Sequence, residues 1–285
     1  MIDIKGFLRR HWQDLKIMTE TTSGKIGFAI TAGLIIIVLL APWVAPYDPS
    51  LITGPAYATP SWAHLLGTDD IGEDLLSQLI WGGRGSLLIG ISAGAIATVI
   101  GVGVGLLSGY YGGKLGEGLM RFTDVILVLP LLPLLIVIAS IFPSSIVLVI
   151  AVIGFLSWPS MARVIRSQTL TLKARPFVDV GRLSGMEDRE IMLNVLLPNM
   201  IPLAVLYGVF AAVTAVVIEA GLDFIGLGSV NNLSWGIMLY FALSRNALLR
   251  GAWWWFIPPG AMIAVLGIGF ILLGYGVERI GRVRS

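Results

Sequence analysis

The residues nearest to a catalytic pattern are two glycine–lysine pairs, which in a P-loop would hold a nucleotide phosphate. That motif requires G-x-x-x-x-G-K-[S/T], in which the hydroxyl binds magnesium. The pair at 24–25 has Thr19 in place of the first glycine and Ile26 in place of the hydroxyl. The pair at 113–114 is followed by Leu115. We therefore expect the chain to be no enzyme and to bind no cofactor or metal itself.

A second polar stretch, residues 175–198, lies between two strongly apolar segments. Its first part predicts a short helix with a small apolar face at positions i, i+3, i+4 and i+7, formed by Phe177, Val180, Gly181 and Ser184. A partner surface can approach such a face closely, and the arginines around it can pair with acidic groups. The residues alone leave two interpretations open, a docking site for a cytoplasmic partner or an amphipathic loop on the bilayer surface.

The same stretch contains signals for one helix end and one helix start. Gly185 is expected to end the first helix, because glycine adopts the left-handed conformation at little cost. Three acidic residues then favour the start of a second helix by their interaction with its dipole: Glu187, Asp188 and Glu190.

Ionisable residues within or beside the predicted membrane spans form a third candidate set: Arg121, Asp124, Glu219 and Asp223. A charge in hydrocarbon is costly, so each is a candidate for function. Arg121 and Asp124 are three residues apart on a predicted helix, close enough to pair. We favour structural roles near span ends for these residues over a pathway for substrate or protons.

Composition indicates an all-α integral membrane protein. The chain has 285 residues, of which 56% are hydrophobic and 13% charged, with a mean hydropathy of +0.88. A soluble domain carries about 25% charged residues. Six spans are long enough to cross about 30 Å of hydrocarbon as helices, the form that leaves no backbone group unpaired in lipid. They are 26–46, 86–108, 119–140, 144–164, 199–221 and 256–276.

The distribution of positive charge predicts the topology. With a cytoplasmic N-terminal segment (1–25), sixteen of the 19 lysines and arginines lie in inside segments, including the loop 165–198 and the tail 277–285. The segment 47–85 is then external. The net charge of +2 is too small to indicate a nucleic-acid partner. The absence of cysteine excludes disulfides and thiolate chemistry.

Three further features carry structural expectations. The cluster Trp253–Trp255 is predicted to form an aromatic belt at the membrane interface. Gly101-Val-Gly-Val-Gly105 has the G-x-x-x-G spacing that lets helices approach closely, within the chain or across a subunit interface. His11 and His64 are expected to be surface residues.

Residues 179–198 resemble the cytoplasmic motif of ABC importer membrane subunits, E-A-A-x-x-x-G, nine residues, I-x-L-P. Asp179-Val-Gly, Gly185 and Val195-x-Leu-Pro198 keep every spacing, although the E-A-A triplet is replaced. The resemblance assigns docking onto an ATPase to ten residues: Phe177, Val178, Asp179, Gly181, Arg182, Ser184, Gly185, Met186, Leu197 and Pro198.

More of the chain is similar to one branch, the C-type permeases of dipeptide, oligopeptide and nickel importers. His64-Leu-Leu-Gly-Thr-Asp69 with Gly72-x-Asp74 is similar to that branch's HxLGTDxxGRD, with Glu73 at the usual arginine. Glu219-Ala-x-Leu-x-Phe-x-Gly-Leu-Gly228 matches the segment after the fifth span. The resemblance covers roughly residues 26–280.

The resemblance implies a type I ABC importer permease fold with six transmembrane helices and a cytoplasmic coupling helix, placed in the plasma or inner membrane. It implies a B-type permease partner, two ATPase subunits that bind ATP and magnesium, and a solute-binding protein. Peptides are the expected substrate by family frequency, with oligosaccharides and nickel complexes as alternatives.

Two other classes remain open. A secondary transporter would show polar or charged residues at mid-span, which are sparse here. A scaffold or assembly factor would not need the spacing of Asp179, Gly185 and Pro198.

Overall fold

A computed structural model describes residues 21–142, 145–229 and 232–284, with side chains through residue 276. The first 20 residues, residues 143–144 and 230–231, residue 285 and the side chains of the tail lie outside this description. The described residues form α-helices and one π-helical segment, with two isolated bridges and no strand. The helices are α1 (Thr22–Leu39), α2 (Ala41–Val44), α3 (Leu75–Tyr111), α4 (Gly113–Val128), α5 (Leu131–Ile141), α6 (Ile146–Ser157), α7 (Pro159–Lys173), α8 (Pro176–Leu183), α9 (Asp188–Glu190), α10 (Leu197–Phe224), α11 (Trp235–Ser244) and α12 (Trp253–Arg284).

Within the described residues, five helical stretches are long and apolar enough to cross a membrane. The bent pair α4–α5 supplies a sixth if it counts as one span. The predicted all-α, multi-pass architecture is therefore confirmed. The single helix expected over 119–140 is wrong, because α4 and α5 meet at 76°. Pro130 lies at this break and its preceding residue Leu129 is extended, as the steric bulk of a proline ring favours.

The second span begins eleven residues earlier than predicted. Asp74 caps α3 by accepting a hydrogen bond from the backbone N–H of Ser77 at 2.8 Å, so the helix starts at Leu75 instead of 86. It continues for 37 residues to a left-handed Gly112 and is about 55 Å long. The segment predicted to be external is correspondingly shorter than 47–85; it comprises residues 45–74, and we call it the external segment after that prediction.

The fourth span also extends further than predicted. It runs through α6 and α7 to Lys173, with Pro159 in the first turn of α7. The expected boundary near 164 lies inside a helix because the polar residues of α7 occupy one face while Met161 and Ile165 remain buried on the other. The segment treated as a loop from 165 is therefore largely helical.

Helix α3 is central and packs against α7, α10 and α6, while α12 packs against α1 and α10. Small residues permit these contacts. A Cβ atom at Gly94 would lie 2.9 Å from the backbone nitrogen of Ala212 on α10, and one at Gly105 would lie 2.7 Å from the carbonyl oxygen of Ala162 on α7. Gly101 and Gly105 thus mediate packing within the chain.

The tryptophan cluster does not form the predicted interfacial belt. Trp254 and Trp255 are 8% and 1% exposed and belong to a core beneath the external segment, whereas Trp253 is 51% exposed. Trp235, at the start of α11, is fully buried in the same core and donates its indole N–H to the Leu79 carbonyl at 2.9 Å. The external segment and α11 supply the apolar surface that covers these rings.

Candidate functional site

Helix α8 is the element that the sequence singles out for docking, and its start follows from local chemistry. Arg175 has extended backbone angles and precedes Pro176, which has no N–H to leave unpaired at the first helical position. Asp179 lies in the first turn and Arg182 in the last, each favourable to the helix dipole. Their side chains pair across one turn at 3.5 Å.

Helix α8 ends in a Schellman motif, in agreement with the prediction that Gly185 ends this helix. The N–H of Met186 donates to the Gly181 carbonyl at 3.1 Å, and that of Gly185 donates to the Arg182 carbonyl at 3.0 Å. Gly185 has φ of +81°, so the prediction of a left-handed helix end is confirmed. The chain turns at Gly185 immediately after α8 and continues into α9.

The predicted second helix start is also confirmed. Glu187 caps α9 in a capping box with Glu190, whose carboxylate accepts the Glu187 N–H at 3.0 Å. The π-helical segment Ile191–Leu196 follows, and Leu197 and Pro198 open α10. The motif residues that follow Gly185 therefore connect α8 directly to a membrane span.

One side of α8 is buried within the chain. Val178 is 0% exposed and packs in a cluster with Ile165 of α7, Leu106 of α3 and Ile191. Gly181 is buried beside it, with the Met186 sulfur 3.3 Å from where a Cβ would lie. The prediction that Gly181 belongs to the partner face is wrong, because the apolar residues after Gly185 fold back and cover that side.

The exposed side of α8 is apolar and is centred on a residue that sequence reasoning missed. Leu183 is 89% exposed, Val180 is 61% exposed and Phe177 is 41% exposed. Their spacing of three residues is the signal that would have identified Leu183. Among the other predicted docking residues, Met186 and Leu197 are half-buried, and the rest are exposed: Asp179, Arg182, Ser184, Gly185 and Pro198.

Two polar contacts join the segments on either side of α8 to the end of α3. The Tyr110 hydroxyl donates to the Asp188 carboxylate at 2.6 Å, and the Lys173 ammonium donates to the Tyr110 carbonyl. Together with the cluster around Val178, these contacts attach α8 to α3, α7 and α10. A force applied to the exposed face of α8 therefore reaches three membrane helices.

The other predicted site residues lie apart from α8. Asp124 pairs with Arg163 of α7 at 2.7 Å, and the described residues contain no ion pair between Asp124 and Arg121. The predicted pairing within α4 is wrong because the approach of α7 offers Asp124 a nearer cation. Glu219 is 1% exposed and lies within the protein instead of reaching the membrane interface.

One five-residue stretch, Gly90–Gly94, fits the letters of the serine-hydrolase pattern G-x-S-x-G. That pattern needs a sharp turn between a strand and a helix to expose its serine. All five residues lie inside α3, where Gly90 and Gly94 face α10. The match is therefore a packing feature.

The external segment is organised by buried carboxylates. His64 is 6% exposed, against the prediction of a surface histidine, and its Nδ1 lies 2.9 Å from the capping carboxylate of Asp74. The carboxylate of Asp69 accepts three backbone N–H groups and the amide of Gln78. The Gln78 amide also donates to Glu73 at 2.7 Å.

Burial, followed by the nearby charge of Asp69, raises the pKa of Glu73 from 4.5 to about 7. Between about pH 4.5 and pH 7, the Glu73 carboxyl keeps its proton in the folded chain and loses it in the unfolded chain. The free energy of unfolding therefore falls as pH rises through this interval. At pH values above 7, we expect Glu73→Gln to raise the midpoint temperature of thermal unfolding. At pH 4.5, we expect it to change that temperature little. Thermal melts of both proteins at several pH values test this expectation.

The matched control is Glu117→Gln, which neutralises an exposed carboxylate on α4. It should leave the pH dependence of the wild type unchanged. An equal effect of Glu73→Gln at low and high pH would contradict the assignment of a raised pKa.

Comparison with known proteins agrees with this architecture. Residues 101–280 match the family described as "Binding-protein-dependent transport system inner membrane component". The chain is 35% identical to the Di/tripeptide transport system permease protein DppC of Pseudomonas aeruginosa, covering 95% of this chain and 90% of that protein. It is 32% identical to the Oligopeptide transport system permease protein OppC of Haemophilus influenzae, with 95% and 88% covered.

The match extends over more than half of the chain, and both relatives are covered almost end to end. The matched region includes α8, the α9 cap and the Leu197–Pro198 start of α10. The chain therefore belongs to the family of binding-protein-dependent transport system inner membrane components.

Proposed function

We propose that the chain is a membrane-spanning permease subunit of an ATP-driven importer and forms half of a pathway for dipeptides or oligopeptides. The observation that carries this proposal is α8, a short helix whose apolar face of Phe177, Val180 and Leu183 is exposed while its opposite side is fixed in the protein. The names of the relatives support peptides as the substrate class.

The proposed mechanism uses α8 as a coupling helix. A partner ATPase binds the exposed face of α8, and ATP with magnesium binds in that partner. Closure of two ATPases moves α8, and the cluster around Val178 transmits the movement to α3, α7 and α10. A second, B-type permease completes the pathway, and a solute-binding protein delivers the peptide to the external side.

The orientation follows from charge. Arg175, Arg182 and Arg189 surround the docking helix, and inside segments with excess lysine and arginine face the cytoplasm. We place both termini in the cytoplasm and the segment ending at Asp74 outside. Selectivity among peptides then lies largely with the binding protein, which meets the substrate first.

Purification of the tagged chain from native membranes in mild detergent, followed by mass spectrometry, tests the proposal. We expect a second permease, two ATPases and a binding protein to accompany it. In the variant Val180→Glu, a charge replaces an apolar contact, and recovery of the ATPases should fall about tenfold, the loss expected from about 1.4 kcal/mol of binding free energy.

Thr171→Glu is the matched control, because Thr171 is exposed on the neighbouring α7 and its hydroxyl bonds within its own helix. It should leave ATPase recovery unchanged. A chain that is recovered alone, under conditions that preserve other membrane complexes, contradicts the importer function and favours a secondary transporter.

A further inference from the structure

A buried polar cluster lies where α3, α10 and α11 meet, beside the core that contains Trp235 and apart from α8. Glu219 and Asp223 are four residues apart on α10 and are 1% and 5% exposed. Ser86 of α3 and Ser234, the capping residue of α11, face them. Two carboxyl groups one helical turn apart are thus enclosed by three helices.

The hydroxyl groups satisfy only part of this cluster. Ser234 donates to one Asp223 oxygen at 2.5 Å, and Ser86 lies 3.5 Å from Oε2 of Glu219. Both hydroxyl oxygens accept backbone N–H groups of α11. Oε1 of Glu219 is buried and has no hydrogen-bond partner within the part of the chain that the structure describes.

A small cavity borders both carboxyl groups. Its volume is about 20 Å³, sufficient for one water molecule or one small ion. Further oxygen-bearing side chains at its wall belong to Ser229, Asn232 and Ser234, and the remaining wall is formed by Gly85, Ile89, Ile146 and Val149. The cavity wall therefore combines oxygen-bearing side chains with apolar ones.

The charge of the cluster is not balanced by a basic side chain. None of the ion pairs in the described ranges includes Glu219 or Asp223. Arg84 of α3 is directed elsewhere, with its guanidinium donating to the carbonyls of Val38 and Leu39. Two carboxylates enclosed without a cation repel each other and lose their hydration, so the pair must either take up a proton or bind a cation.

We propose that this cavity binds one sodium ion between the carboxyl groups of Glu219 and Asp223. The bound cation supplies the missing partner of Glu219 Oε1 and joins α10 to the start of α11. A divalent ion fits poorly, because calcium takes six to eight oxygen ligands and magnesium strict octahedral geometry. The described residues contain no group of three metal-binding side chains.

Thermal melts of the full-length chain in detergent test the proposal, with sodium chloride replaced by choline chloride at constant ionic strength and with pH varied. Glu73 also titrates when pH is varied, so all proteins carry Glu73→Gln. Binding stabilises the folded state, and we expect sodium at fixed pH to raise the midpoint by about 2–4 °C. Glu219→Gln should abolish this rise, and Glu117→Gln should retain it.

The same melts distinguish a bound sodium ion from a proton on the carboxyl pair. A rise with sodium at fixed pH supports the bound ion, whereas a rise with acid in choline and none with sodium shows that a proton neutralises the pair and overturns the proposal. Asp223→Asn serves as a second variant if Glu219→Gln does not fold. A midpoint that does not depend on sodium, or a sodium dependence that persists in both variants, also overturns the proposal.

Discussion

Replacing Gly185 by arginine is expected to abolish ATP hydrolysis that depends on transport while leaving the chain in the membrane. The φ of +81° at this position is disfavoured for any residue with a Cβ, at a cost of about 1–2 kcal/mol. No other atom lies within 4 Å of a Cβ placed there. The expected defect is therefore a displaced end of α8 and a bulky charge beside Leu183, not a clash within the core.

The measurement is ATPase activity of the purified complex in liposomes, with and without binding protein and substrate. We expect stimulation to fall at least about tenfold, the change produced by 1.4 kcal/mol at the docking contact. Gly185→Asn is the matched control, because asparagine tolerates the left-handed conformation better than other side chains. Normal stimulation in Gly185→Arg would contradict the role of α8.

Replacing Gly105 by leucine should prevent stable folding. A Cβ at this position would lie 2.7 Å from both the Ala162 carbonyl oxygen and the Ile165 Cβ, so α7 would have to move away from α3. Overpacking against side chains alone costs about 1–3 kcal/mol, and displacing a backbone costs more. Because α7 also contributes Ile165 to the cluster that holds α8, the same displacement would loosen the docking helix.

Gly103→Leu offers a control on the same helix, since a Cβ at Gly103 has no neighbour within 4 Å. The amount of protein in the membrane and its thermal midpoint in detergent should fall sharply for Gly105→Leu and remain near wild type for Gly103→Leu. Equal stability of the two variants would show that α3 and α7 do not meet at Gly105.

The parts of α8 and α9 that the sequence predicted correctly are those governed by local chemistry. Gly185 ends a helix and Glu187 begins another because their conformations and hydrogen bonds involve residues within five positions. The membrane spans were predictable for a similar reason. In lipid, each spanning segment must pair its own backbone N–H and C=O groups, which a helix does within the segment. The break at Leu129–Pro130 has a local signal too, the proline, although the sequence does not give its angle of 76°.

The errors concern which neighbour each side chain meets. Spacing placed Gly181 with Phe177 and Val180, yet the chain after Gly185 covers Gly181 and leaves Leu183 exposed. Asp124 was assigned to Arg121 on its own helix, whereas Arg163 arrives from α7. The buried state of Trp255 depends on the external segment and α11 folding over it.

The sequence by itself determined that this is a multi-pass helical membrane protein, and its spaced motif marked the docking stretch. Hydropathy and capping act over a few residues, so they are fixed before any helix packs. Only the tertiary structure decided which face of α8 is free, which helices Gly94 and Gly105 join, and that Glu219 and Asp223 share a cavity. Those features depend on contacts between residues distant in sequence, where the crossing of helices decides which side chains lie within reach of one another.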